Sequence, residues 1–117
     1  MTRNRKDKNG PLFMISVVSK MLEVHPQTLR MYEREGFVRP HRVNQQRLYT
    51  QEDVDRLNMV IKLTKERGVN KAGVDVILQM RNRFESLHDE LWDFMESLEE
   101  DMREDFERRL RRIFFEE

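Results

Sequence analysis

The stretch His25-Pro26-Gln27-Thr28-Leu29-Arg30-Met31-Tyr32-Glu33-Arg34-Glu35-Gly36 combines a helix start, a helix stop and an unusual polar face between them. Pro26 suits the first helical position, where its missing N–H would have no partner and its fixed φ is already helical. Gly36 ends the helix. Leu29 can face a core while Gln27, Thr28, Arg30 and Arg34 face outward. An amide can pair two-fold with adenine, a guanidinium with guanine, and a hydroxyl can touch thymine, so this face has the groups a DNA major groove requires. The plain alternative is an amphipathic surface helix with solvated charges.

Upstream, Phe13-Met14-Ile15 reads as a short extended stretch, and Ser16 can cap a brief helix with Val18, Met21 and Leu22 inward. A turn at Glu23-Val24 joins it to the Pro26 helix. Two short helices linked this way, the second polar and basic on its outer face, form a helix-turn-helix. Downstream, Phe37 to Tyr49 alternates weakly around a polar centre, as a β-hairpin wing does. Arg39, Arg42 and Arg47 with Tyr49 supply cations and a hydroxyl for a sugar-phosphate backbone; otherwise they are the solvated charges of a protected edge strand. The wing tip Asn44-Gln45-Gln46 lacks the glycine expected of a tight turn, although Asn adopts the left-handed conformation more readily than most residues.

Thr50-Gln51-Glu52-Asp53 opens the next helix with a Thr cap and an acidic first turn. Val54, Leu57, Ile61 and then Leu63 or Thr64 recur at helical spacing up to Gly68. Asn70 can cap a further short helix bearing Val74, Ile77, Leu78 and Met80. From Arg81 to Glu117 there is neither Pro nor Gly, which predicts one long helix. Its apolar residues Phe84, Leu87, Leu91, Phe94 and Leu98 keep heptad spacing, and Met102, Phe106 and Leu110 then follow at steps of four, a stutter. Such a stripe on a charged helix is buried either against a second copy, with Trp92 and Met95 widening the contact, or against the chain's own domain.

The chain therefore reads as mainly α, a winged helix-turn-helix with a long C-terminal coiled-coil dimerisation helix. Its expected parts are a flexible basic tail over residues 1–11, a DNA-binding domain over 12–80 and a dimerisation helix over 81–117. The 117 residues allow one small core, and 38% charged against 38% apolar residues, with four Gly and three Pro, favour long helices over a thick globule. The net charge of zero hides an asymmetry: residues 1–83 hold 17 Lys/Arg against 9 Asp/Glu, a net of +8, whereas residues 84–117 hold 5 against 13, a net of −8. A basic lobe is the footprint of a phosphate binder, and the acidic lobe should point away. Arg3, Arg5, Lys6 and Lys8 in the tail serve either as a solubilising segment or as an arm on DNA.

No cysteine means no disulfide, no thiolate metal site and no thiol sensor. The three histidines, His25, His41 and His88, lie far apart, with no nucleophile or metal spacing around them, so no catalytic residues, metal site or cofactor are expected. Methionines could bind Cu(I), but at helical spacing they belong to a core. No apolar run approaches the ~20 residues of a membrane span, and the expected location is cytoplasmic, on the nucleoid.

The order of these elements, with Ile15-Ser16, Thr28-Leu29-Arg30-Met31-Tyr32-Glu33-Arg34-Glu35-Gly36 and Arg47-Leu48-Tyr49-Thr50-Gln51-Glu52-Asp53-Val54-Asp55-Arg56-Leu57, resembles the MerR family of winged-helix transcription regulators. The resemblance runs from Phe13 to Met80. Within the family, His25-Pro26-Gln27-Thr28-Leu29-Arg30 and Gly68-Val69-Asn70-Lys71-Ala72-Gly73-Val74 are similar to the heat-shock repressor branch, HspR. The resemblance implies a homodimer joined by its C-terminal helices through Phe84, Leu87, Leu91, Phe94, Leu98, Met102 and Phe106. It also implies repression of chaperone genes from a HAIR-type inverted repeat in double-stranded DNA, with the DnaK chaperone as co-repressor. Carried over residue by residue, the DNA-binding positions are His25, Gln27, Thr28, Arg30 and Tyr32 on the helix, Arg42, Arg47 and Tyr49 on the wing, and Lys65 and Lys71 on flanking backbone. Gln27 and Arg30 suit base edges; Arg47, Tyr49 and Lys71 suit phosphates; Glu33 and Gly36 look structural. No small-molecule ligand is expected, because the C-terminal segment leaves no room for a separate ligand domain. The competing readings keep the DNA module but make the protein an architectural or chromosome-anchoring factor, or a ligand-gated activator.

Overall fold

The computed structural model describes residues 10–115. The basic side chains expected to form an N-terminal arm, Arg3, Arg5, Lys6 and Lys8, lie outside the described residues. In chain order the elements are β1 (Phe13–Met14), α1 (Ile15–Leu22), α2 (Pro26–Arg34), β2 (His41–Val43), β3 (Gln46–Tyr49), α3 (Gln51–Ile61), a π-helical turn (Lys62–Glu66), α4 (Lys71–Glu96) and α5 (Glu100–Phe114). Compact units divide the chain between Gln79 and Met80.

In the first unit, strand β3 is central in a small antiparallel sheet, with β1 on one side and β2 on the other. One apolar core gathers Val18, Leu29, Tyr32, Phe37, Tyr49, Val54, Leu57, Val60, Val74 and Leu78, all buried. Each helix contributes to it through a narrow face, which is why these short elements are stable together although none would be alone. The inward faces differ from the periodic expectation in three places. Val60 rather than Ile61 is fully buried on α3, and Met21 and Met80 stand largely exposed. A period of 3.6 leaves neighbouring positions nearly equivalent, and the packing partner chooses between them.

Local caps account for the element boundaries. Thr50 Oγ1 accepts from Asp53 N at 3.0 Å while Asp53 Oδ2 accepts from Thr50 N at 3.0 Å, a reciprocal capping box that starts α3. Asn70 Oδ1 accepts from Gly73 N at 2.9 Å at the start of α4. A Cβ on Gly73 would lie 2.6 Å from Val69 Cγ1, so any larger residue in the first turn of α4 would force the Val69 side chain to shift. α1 starts one residue before Ser16, which had been the expected cap; Met14 takes the N-cap position with no side-chain cap, because pairing of β1 with β3 already sets the entry of the chain.

The C-terminal part departs from a single helix over 81–117. α4 begins at Lys71 and runs without interruption to Glu96, so the expected short helix and the start of the long one are one element. The chain then reverses over residues 97–99 into α5. Ser97 Oγ donates to Phe94 O at 2.6 Å, and Glu99 adopts an extended conformation as the N-cap of α5. Side-chain competition for a helix carbonyl and an acidic first turn, Glu100 and Asp101, end one helix and start another without Gly or Pro.

Within this second unit α5 returns antiparallel to α4. Phe94 meets Phe106 edge-on with ring centres 5.9 Å apart, and Phe84 meets Phe114 at 5.2 Å. The stripe expected to await a second copy is thus partly covered by the chain's own α5. Phe84, Leu87, Phe94 and Met102 remain about half exposed even so, and Met95 is the buried centre of the pair. A cavity of about 440 Å³ between the two helices is lined by Leu87, Leu91, Trp92, Met95, Leu110 and Phe114 among others.

Candidate nucleic-acid interface

Helix α2 is held by specific contacts at both ends. His25 is its N-cap, with Nδ1 accepting from Gln27 N at 3.0 Å, and Pro26 follows at the first position. At the other end Gly36 takes φ +84°, Phe37 N donates to Tyr32 O at 3.0 Å, and Gly36 N donates to Glu33 O at 3.0 Å. This is a Schellman termination, and the rings of Tyr32 and Phe37, 5.9 Å apart, supply the apolar contact that accompanies it. Leu29 and Tyr32 point into the core, which turns Gln27 fully and Thr28 and Arg30 partly to solvent.

The wing is a two-residue hairpin. Val43 pairs with Gln46, and the intervening Asn44 and Gln45 have φ of +51° and +67°. Two consecutive left-handed residues make a type I′ turn, the form whose twist suits a β-hairpin. The missing glycine is therefore met by strain rather than by a different geometry. In this register Arg42 lies directly opposite Arg47.

Glu33 joins the wing to α2. Arg47 Nε donates to Glu33 Oε1 at 2.6 Å and an Arg42 terminal nitrogen donates to Glu33 Oε2 at 3.0 Å. Burial would push the Glu33 carboxyl up, but the hydrogen bonds and charges of Arg47 and Arg42 outweigh it and hold the group below its ordinary value. Sequence reasoning left Glu33 out of the site. The available signal was the turn itself: a tip at Asn44-Gln45 places Arg42 opposite Arg47, and facing like charges require a counter-ion.

Two expected contacts are corrected by burial. Tyr32 is 2% exposed, and its hydroxyl shares a hydrogen bond with Thr64 Oγ1 at 3.2 Å. Tyr49 is 0% exposed, and its hydroxyl has no hydrogen-bond partner among the described residues. Burial, and next the charge of Glu33, push the Tyr49 phenol up. Both rings are core side chains, because an aromatic ring carries more apolar area than a single hydroxyl can offset.

Lys65 is exposed on the π-helical turn, where Thr64 Oγ1 donates to Val60 O at 2.8 Å. Lys71, in the first turn of α4, pairs with Asp75 at 3.2 Å and lies 5.9 Å from the Phe37 ring centre. Arg56, which sequence reasoning did not single out, donates from Nε to Phe37 O at 2.6 Å and so fastens the segment between α2 and the wing. Gln27, Arg30, Arg42 and Arg47 thus belong to one helix-and-wing assembly, whereas Lys65 and Lys71 sit on separate elements. Among the described residues no cluster of His, Asp or Glu could hold a metal ion, and no helix is long and apolar enough to cross a membrane.

Comparison with known proteins agrees with this architecture. The chain is 36% identical over 81 residues to a Streptomyces coelicolor protein assigned as the heat shock protein HspR, covering 68% of this chain and 54% of that one. It is 33% identical over 75 residues to the HTH-type transcriptional regulator GlnR of Bacillus cereus and of Bacillus anthracis, covering 63% of this chain and 57% of each. The chain thus spans little more than half the length of these curated relatives. Residues 13–81, which hold the helix-turn-helix, the wing and the start of α4, match the MerR HTH family of regulatory proteins, and the chain belongs to that family.

Proposed function

We propose that this protein is a sequence-specific DNA-binding repressor of heat-shock and chaperone genes, acting as a homodimer on an inverted repeat with DnaK as co-repressor. The observation that carries the DNA-binding reading is the outward face of α2, with Gln27 and Arg30 turned to solvent on the helix whose Glu33 binds Arg42 and Arg47 of the wing. A helix that offers an amide and a guanidinium to base edges, next to cations suited to phosphates, meets both requirements of a specific complex. The similarity to HspR supports the heat-shock assignment. A dimer accords with the half-exposed Phe84, Leu87, Phe94 and Met102, which are apolar area left over after α5 has packed on α4. DnaK shifts repression in this scheme by binding the operator-competent form better than the others.

Fluorescence anisotropy with a duplex carrying a HAIR-type inverted repeat and with a scrambled duplex, at ~0.15 M salt with and without DnaK, tests the proposal. Preference for the repeat by ~10³-fold or more, sharpened by DnaK, is the expected result. Equal binding to both duplexes would refute sequence-specific repression. Arg30→Ala is expected to cut discrimination by ~1–3 kcal/mol, and Arg47→Ala to weaken both duplexes and lower the salt slope by about one. Equal losses on both duplexes for Arg30→Ala would remove it from the base-reading face.

A further inference from the structure

A carboxylate is an unfavourable group to place beside phosphates, yet Glu33 stands on the recognition helix one turn after Arg30, with both oxygens engaged by wing arginines. Its local role is electrostatic. Arg42 and Arg47 are direct cross-strand partners, so without a counter-ion the hairpin would hold two guanidiniums face to face. Glu33 offsets that repulsion, and because it belongs to α2 rather than to the wing, the same bonds fix the wing relative to the helix. Each guanidinium has five N–H donors, so one bond from Arg47 and one from Arg42 leave most of their donors for other acceptors. Arg47 gives its Nε, so the opposite edge of its planar guanidinium stays open to another acceptor.

Resting on the DNA-binding reading, we propose that Glu33 is a positioning residue for specificity. It lowers the phosphate affinity of the wing and in return holds Arg42 and Arg47 where they engage the backbone fully only when Gln27 and Arg30 are in register with their bases, and more weakly otherwise. A wing free of this clamp would settle on any phosphate. The clamp therefore acts against the wrong sequences more than for the right one, which is how specificity arises as a difference between two affinities.

Glu33→Gln removes the charge and preserves the shape. The expected result, in the same anisotropy assay over a range of salt, is binding to the scrambled duplex tightened by roughly three- to ten-fold, with the inverted-repeat affinity changed by less than about two-fold and the salt slope steeper by about one for the phosphate that Arg42 gains. In the double variant Glu33→Gln, Arg42→Gln the slope returns to the wild-type value while discrimination stays low. Glu33→Asp keeps the charge but is one methylene too short to span both arginines; it shifts discrimination the same way by less, and decides the matter if Glu33→Gln fails to fold by circular dichroism. Unchanged discrimination and slope in a folded variant would overturn the proposal, as would equal weakening on both duplexes, the mark of a merely structural residue. Loss of preference in the wild-type protein itself would instead overturn the DNA-binding reading, and this proposal with it.

Discussion

Replacing Tyr49 by Phe should make the protein more stable, and the size of the gain follows from where the hydroxyl sits. The side chain is 0% exposed and its oxygen has no hydrogen-bond partner among the described residues, so folding strips water from a polar group and returns nothing. A buried polar group left unpaired costs about 1–3 kcal/mol. Removing the oxygen leaves a void smaller than a methyl group, which at ~24 cal/mol per Å³ costs only a few tenths of a kcal/mol. The net expectation is a gain of about 1–2 kcal/mol. Urea unfolding followed by far-ultraviolet circular dichroism reads it directly: with a slope of ~2 kcal/mol/M the midpoint rises by roughly 0.5–1 M. DNA affinity should be unchanged, since the hydroxyl does not reach the surface. A lower midpoint would mean that the hydroxyl has a partner in the folded protein, and a fall in DNA affinity with the midpoint unchanged would return Tyr49 to the phosphate-contacting role that its place in the sequence suggested.

Gln45→Gly should stabilise the wing by up to ~1 kcal/mol, because relief of ~1–2 kcal/mol of left-handed strain exceeds the extra chain entropy of glycine; a destabilised variant would refute the type I′ turn. The Glu33 carboxyl is held below its ordinary value of 4.5, so the stability it contributes is present in full above that value and is lost as the pH falls through its lower folded value. The difference in urea midpoint between the wild type and Glu33→Gln should accordingly hold steady above the ordinary value and shrink as the pH falls below it, and a difference that stays constant throughout would rule the clamp out as its source. Met95→Ala, at the buried centre of the α4 and α5 pair, should cost about 2–4 kcal/mol and release amide protection in α5 before the helix-turn-helix; protection that persists in α5 would count against the antiparallel packing.

Local signals were enough to recognise most of the first unit from the sequence. Pro26 and Gly36 bracket α2 because backbone geometry at a helix end depends on the residue in place, and the Thr50-Asp53 box and the Asn70 cap are bonds over three residues that need no tertiary context. The winged helix-turn-helix arrangement followed from the order of such segments. The outward face of α2 was equally legible, since an inward Leu29 is enough to determine which way Gln27 and Arg30 turn.

What only the tertiary structure decided depends on contacts between segments distant in the chain. Tyr32 and Tyr49 are polar enough for a surface and large enough for a core, and the meeting of α2, α3 and β3 chose the core. Glu33 became part of the site because the wing folds back over the end of α2, a pairing across 14 residues. The reversal at 97–99 was hidden because an uninterrupted run of good helix formers carries no stop signal, and bending it costs only a few backbone bonds. Facing aromatic pairs, Phe94 with Phe106 and Phe84 with Phe114, outweigh that cost. Helix-end chemistry is local and can be read residue by residue; burial is a property of the assembled molecule, and it was burial that chose among side chains the sequence left equivalent.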